Sequence, residues 1–245
     1  MSVEPEIKVF PNSAALVEEA AKRIVHSAAQ AAAEGNLFSL FLSGGSTPKA
    51  LYELLASDEW KTQLDWRNVE LYFGDERCVP PDSALSNYKM ALETLIDRVP
   101  IPRDNVYRMR GEIEPEVAAK EYGQMLKEKF RDEGPDVLLL GMGDDGHTAS
   151  LFPGTAALDE THHRCVANHV TADYIPKGTS WRITLTYPFI NLSKQVLILV
   201  TGASKAERLS EVLEGEPAPS RLPIQGVQPT AGKLSYLIDV AAAGM

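Results

Sequence analysis

"DVLLLGMGDDGHTASLFPG", residues 136–154, decides how the chain is read. Val137 to Leu140 is an aliphatic run without alternation, the pattern of a strand buried on both faces. Three glycines, two adjacent aspartates and His147 then follow within seven residues. Open parallel sheets bind ligands beyond the carboxyl ends of their strands, so a glycine turn with ionisable groups at such an end reads as a site. An imidazole, with an ordinary pKa of about 6.5, is suited to general-base work at neutral pH. Asp145, two residues earlier, is placed to fix its tautomer. The plainer alternative is a histidine that only caps the segment "TASLF".

The same alternation of apolar runs and helical patterns extends in both directions. "IKVF" (7–10), "LFSLFL" (37–42), "VELYF" (69–73), "QVLILV" (195–200) and "SYLIDV" (235–240) read as strands, with "RCVANHV" (164–170) and "RITLT" (182–186) as weaker ones. Helices are expected over 14–33, capped by Asn12 or Ser13 and ending near Gly35, and through "KALYELLAS" after Pro48. Further helices are expected near 84–98, over 115–131 and over 204–213, and 215–223 reads as a loop. Aliphatic strands separated by amphipathic helices predict an α/β fold with a mostly parallel sheet covered on both faces. No repeat or interdomain linker is visible, so residues 1–245 read as one domain.

Three other strand ends carry site-like residues. After 37–42 comes Ser43-Gly44-Gly45-Ser46-Thr47-Pro48, where glycine amides and a following helix N-terminus suit a phosphate. It is neither a P-loop, a dinucleotide turn nor a nucleophile elbow, and a plain tight turn with a helix cap remains the alternative. After 69–73 comes a loop beginning Gly74-Asp75-Glu76-Arg77. In extended chain Asp75 and Arg77 share a face, with Arg77 able to grip an anionic oxygen and Asp75 to orient a hydroxyl. A structural ion-pair loop is the alternative. After 195–200, Ser204 is a candidate cap, and Lys205 in a helix's first turn opposes the helix dipole, which points to a role as anion ligand. Arg182 is a further candidate cation.

Composition limits the partners. Of 245 residues 44% are hydrophobic, and 24 Lys plus Arg against 34 Asp plus Glu leave a net charge of −10. Without a basic block such a chain is a poor nucleic-acid binder. Two cysteines at no metal or redox spacing read as reduced thiols. His162, His163, Cys165 and His169 offer ligand atoms in a spacing that matches no established zinc motif, and no metal is expected. His26 reads as a surface residue of an alanine-rich helix. No secretory leader or membrane-length apolar run is apparent, so a soluble, cytoplasmic protein with no membrane partner is expected.

"FLSGGSTPKALYELL", "YFGDERCVP", "SALSNYKMA", "LLLGMGDDGHTASLFPGT" and "RITLTYPFINLSKQVLILVTGASKAERL" resemble the 6-phosphogluconolactonase family, in order and over about residues 7 to 240. The resemblance implies a Rossmann-like three-layer sandwich with a mostly parallel sheet and a small subsidiary β-containing region. It implies hydrolysis of 6-phospho-D-glucono-1,5-lactone to 6-phosphogluconate in the oxidative pentose phosphate pathway, without metal or organic cofactor. By motif, His147 resembles the catalytic base and Asp145 its supporting acid. Asp75 matches an acidic position that related deaminases use for proton transfer. Arg77 and Lys205 resemble phosphate ligands, and Gly44, Gly45 and Ser46 the glycine turn lining the substrate. The partner implied is a small sugar-phosphate lactone, bound by a monomer or weak homo-oligomer. An amino-sugar phosphate deaminase or isomerase shares the fold and is the nearest alternative. A sugar-phosphate sensor would carry a basic helix-turn-helix, for which the N-terminal region leaves no room.

Overall fold

Strands form where the aliphatic runs stand. The computed structural model describes residues 4–171 and 175–245. In chain order it contains β1 (Glu6–Phe10), α1 (Ser13–Ala33), β2 (Phe38–Leu42), α2 (Ser46–Leu55), β3 (Val69–Phe73) and β4 (Asp75–Arg77). There follow α3 (Asn87–Ala91), α4 (Pro115–Phe130), β5 (Val137–Gly141), β6 (Cys165–His169) and β7 (Trp181–Leu185). The chain ends with α5 (Tyr187–Ile190), β8 (Gln195–Val200), α6 (Ala206–Glu214) and β9 (Lys233–Asp239).

Six strands form one sheet in the order β1-β9-β8-β5-β2-β3, all neighbours parallel. Every residue of β2 and β3 is buried, and all but one of β5 and of β8. Burial on both faces is why these segments are unbroken aliphatic runs rather than alternating ones. From β2 the chain crosses to β3 on one side; from β5 it proceeds to β8 and β9 on the other. β2 and β5 are neighbours, so the connections diverge between them and leave a crevice at their carboxyl ends, the topological switch point of an open α/β sheet.

A small antiparallel sheet, β4-β7-β6, stands beside it. The two weak strands lie here. Asp75–Arg77, expected as the start of a loop, is instead its third strand. Three residues with no aliphatic content carry no strand signal, yet backbone pairing with β7 holds them extended. Asp75 pairs with Thr184 and Arg77 with Arg182, so period-two alternation puts these four side chains on one face.

Capping sets the helix starts. Asn12 accepts the Ala15 N–H at 2.9 Å. The helix expected from 84 begins only at Asn87, because Ser86 Oγ takes the Lys89 N–H while the Glu76 carboxylate takes those of Asn87 and Tyr88. It then widens into a π-type turn over Leu92–Ile96. Ser204 does not cap α6. The chain enters a tight turn, Ala203–Lys205, from Gly202 at φ 93°, and Ser204 lies inside that turn. No helix among the described residues is long and apolar enough to cross a membrane.

The glycine turn after β2 is held from below by Tyr52 of α2. Its buried hydroxyl accepts the Ser43 N–H at 2.8 Å and donates to the Ser43 carbonyl at 2.7 Å. Tyr52→Phe strands both backbone groups, at a cost of about 1–3 kcal/mol. Urea unfolding of this variant is expected to show that loss with an unchanged denaturant slope; wild-type stability would mean the turn does not depend on the hydroxyl.

Candidate active site

A cavity of about 200 Å³ opens at the switch point. Ser43, Gly44 and Gly45 line it from the end of β2, and Asp75, Arg77 and Asn87 from β4 and α3. Gly141, Met142, Gly143, His147, Thr148 and Ala149 line it from the end of β5. Five residues singled out in the sequence (Gly44, Gly45, Asp75, Arg77 and His147) therefore meet in one space.

His147 is fixed on three sides. Asp145 Oδ1 accepts the His147 backbone N–H at 3.0 Å and lies 2.6 Å from its Nδ1. The Phe152 ring stacks on the imidazole, with centroids 4.0 Å apart and planes 22° from parallel. On Gly143 a Cβ would overlap the ring, so glycine is needed there for close approach rather than for flexibility. With Nδ1 tied to a carboxylate, Nε2 is the nitrogen left for chemistry in the cavity. The loop is braced by Gly143 N–H to the His147 carbonyl at 2.8 Å and Thr148 Oγ1 to the Gly141 carbonyl at 2.9 Å. Ala149 lines the cavity at φ 48°, a left-handed conformation unusual outside glycine and common where a site stores strain.

Asp75 is buried and held at both carboxylate oxygens, each of which keeps acceptor capacity. Ser150 Oγ donates to its Oδ2 at 2.5 Å and Asn87 Nδ2 to its Oδ1 at 3.1 Å. Asn87 approaches Gly44 so closely that a Cβ there would overlap its amide. Glu76 points to the opposite face, where its carboxylate accepts the N–H groups of Arg77, Asn87 and Tyr88 and the Ser86 hydroxyl. Burial raises its pKa, while these bonds pull the other way. Glu76 thus ties β4 to the start of α3 and places Asn87 beside Asp75. Arg77 donates to the Leu85 carbonyl at 2.6 Å and keeps its face on the cavity.

The other residues singled out lie outside the cavity wall. Asp145 stands behind the imidazole. Arg182 is buried beside Arg77. Ser46 opens α2, and Lys205 pairs with Asp144 at 2.5 Å, which answers the oddity of a lysine at a helix start. Thr47 and Thr201 share a hydrogen bond of 2.7 Å, so the turns that carry Ser46 and Lys205 adjoin. Sequence reading missed Glu76, Asn87, Ser150 and Phe152. The signal within reach was the Ser86-Asn87 cap; the rest depend on tertiary placement.

The histidine-rich segment does not converge. His163 is exposed and paired with Glu160, His169 lies against Trp181, and Cys165 is buried beside Gly123. Among the described residues no group of three or more His, Cys, Asp or Glu side chains could hold a metal ion. A wider groove of about 810 Å³ runs between α4 and β6, past Lys120, Lys127 and His162. Its ionisable groups lie along α4 and before β6, away from the carboxyl ends of the main sheet, where the smaller cavity has its set.

The sequence matches the family described as glucosamine-6-phosphate isomerases/6-phosphogluconolactonase over residues 11–236. The chain belongs to this family. A 6-phosphogluconolactonase of Nostoc sp. is 38% identical over 242 residues, covering 96% of both chains. One from Synechocystis sp. is 37% identical, covering 97% of both. Among solved structures, the 6-phosphogluconolactonase from Trypanosoma cruzi superposes with a TM-score of 0.87 at 30% identity, over 100% of this chain and 97% of that one. A monomeric glucosamine-6-phosphate deaminase shares the fold at 23% identity and a TM-score of 0.82. The α/β fold with its mostly parallel sheet and small antiparallel companion is thus the fold of the family.

Two glycines, the last residue of β5 and one in the loop after it, give a paired test of the close packing. Gly143→Ala drives a methyl into the imidazole and is expected to cost about 1–3 kcal/mol as overpacking. Gly141→Ala adds a Cβ with nothing within 4 Å and is expected to leave thermal stability nearly unchanged. Equal melting temperatures for the two variants would contradict the packing described.

Proposed function

We propose that this protein is a 6-phosphogluconolactonase that hydrolyses 6-phospho-D-glucono-1,5-lactone to 6-phospho-D-gluconate, with His147 as general base. The observation that carries the reading is one small cavity lined by both a carboxylate-oriented imidazole and a guanidinium. It agrees with the names of relatives matched over nearly the whole chain.

Nε2 of His147 takes a proton from water as the water oxygen attacks C1 of the lactone. Asp145 holds Nδ1–H and stabilises the imidazolium that forms. The carbonyl electrons move onto oxygen, and the oxyanion needs donors. The Gly143 amide is committed to the His147 carbonyl, so the Gly44–Gly45 turn is the glycine turn that supplies them. On collapse the C1–O5 bond breaks and the imidazolium returns its proton to the departing ring oxygen, opening the ring to the free acid. Arg77 grips the 6-phosphate, remote from C1, Lys205 joins it from the adjoining turn by exchanging its Asp144 partner for the phosphate, and the binding energy aligns the ring. Asp75, held by Ser150 and Asn87, orients a sugar hydroxyl. No metal or organic cofactor takes part in this reading. It is that of a cytoplasmic enzyme acting on a small molecule.

His147→Ala is expected to lower kcat by about 10²–10⁴-fold with sugar-phosphate binding nearly intact. Freshly generated lactone, corrected for spontaneous hydrolysis, is the substrate for this assay. Undiminished turnover would show that another group is the base. Arg77→Ala is expected to act mainly on KM; a pure kcat effect would move Arg77 from phosphate grip to chemistry. Ammonia release from glucosamine 6-phosphate would instead favour the deaminase reading.

A further inference from the structure

Arg182 is the anomaly of the small sheet. Among the described residues its Nε is the one buried side-chain nitrogen or oxygen without a hydrogen-bond partner. The residue is 5% exposed. Its Nη2 reaches Thr179 Oγ1 at only 3.5 Å, and no carboxylate among the described residues forms an ion pair with it. A guanidinium held this way is costly, and a well-packed apolar side chain of similar volume would cost less. Buried unsatisfied groups in a folded protein call for a reason.

Its surroundings point to one. Arg182 is in direct register with Arg77 across the β4–β7 pair, on the face that also carries Asp75. Side chains opposite one another in such a pair are near neighbours, and like charges there repel. The groups felt by Arg182 are Arg77, which opposes its charge, and Asp75, Cys78 and Glu76, which favour it. Both acids are already engaged: Asp75 by Ser150 and Asn87, Glu76 by three amides and a hydroxyl. Those donors are neutral and leave both acids charged, but neither acid forms an ion pair with Arg182 or Arg77 among the described residues, so two guanidiniums stand opposite one another and only Arg77 reaches the cavity.

We propose that Arg182 is a positioning residue that keeps a buried positive charge without an ion-pair partner behind Arg77 and thereby sets the cavity's affinity for a dianionic phosphate. It acts through Arg77, pressing that guanidinium toward the cavity, and does not itself touch the anion. A bound phosphate would add an anion in reach of this pair of guanidiniums. This rests on the sugar-phosphate reading above.

The test is calorimetric titration with inorganic phosphate at constant ionic strength, on wild type, Arg182→Met, Arg182→Gln and Arg182→Lys, with melting curves with and without phosphate. The two neutral variants are expected to bind phosphate about tenfold or more weakly. Their melting temperature without phosphate is expected to equal or exceed that of wild type, and phosphate is expected to raise it less. Arg182→Lys restores most of the affinity. With the lactone, the rise in KM of the neutral variants exceeds any fall in kcat. The proposal is overturned if either neutral variant that folds binds phosphate as tightly as wild type. It is also overturned if wild type shows no phosphate binding, or if both neutral variants are destabilised without phosphate while Arg182→Lys is not. Phosphate titration needs no turnover, so Arg182-dependent binding by a protein inert toward the lactone would sink the lactonase reading and leave this one standing.

Discussion

Between β2 and β5 the order of the main sheet reverses, and the connections leaving these two strands part company. The backbone turns away from the sheet at both carboxyl ends and is fixed there by side chains rather than by strand pairing. Each turn has its own fixture. After β2 it is the Tyr52 hydroxyl, bonded to both the N–H and the carbonyl of Ser43. After β5 it is the Asp145 carboxylate, which takes the backbone and ring nitrogens of His147 together. The cavity exists because these turns are rigid and stand apart.

The small antiparallel sheet supplies the third wall. Alternation along β4 separates the labour of adjacent acids: Asp75 faces the cavity, and Glu76, on the other side, gathers amides and a hydroxyl into the start of α3. Asn87 closes the loop by returning from α3 to Asp75. The loop after β5 is stitched to the small sheet where Ser150 meets both Asp75 and Thr184. A base on one sheet and a guanidinium on the other thus share about 200 Å³.

Much of this was legible in the sequence because burial on both faces writes itself as unbroken aliphatic runs. β3 and β8 fall on the runs "VELYF" and "QVLILV" residue for residue. Glycine turns at strand ends then gave His147, Arg77 and Asp75. What was not legible depends on partners distant in the chain. β4 is too short and too polar to announce itself, and it is a strand only because β7 lies about a hundred positions on. Ser204 had the chemistry of a cap, but Gly202's positive φ started a tight turn that took it out of position. Lys205 was read against a helix dipole, when Asp144, brought in by the β5 loop, is the charge it faces.

The most direct measurement is a structure of the protein with the product 6-phosphogluconate bound. The account predicts the C1 carboxylate within hydrogen-bond reach of His147 Nε2, near the Gly44–Gly45 turn, and the phosphate at the far end on Arg77. A product bound in the α4–β6 groove, or lying reversed with its phosphate against the imidazole, would contradict it.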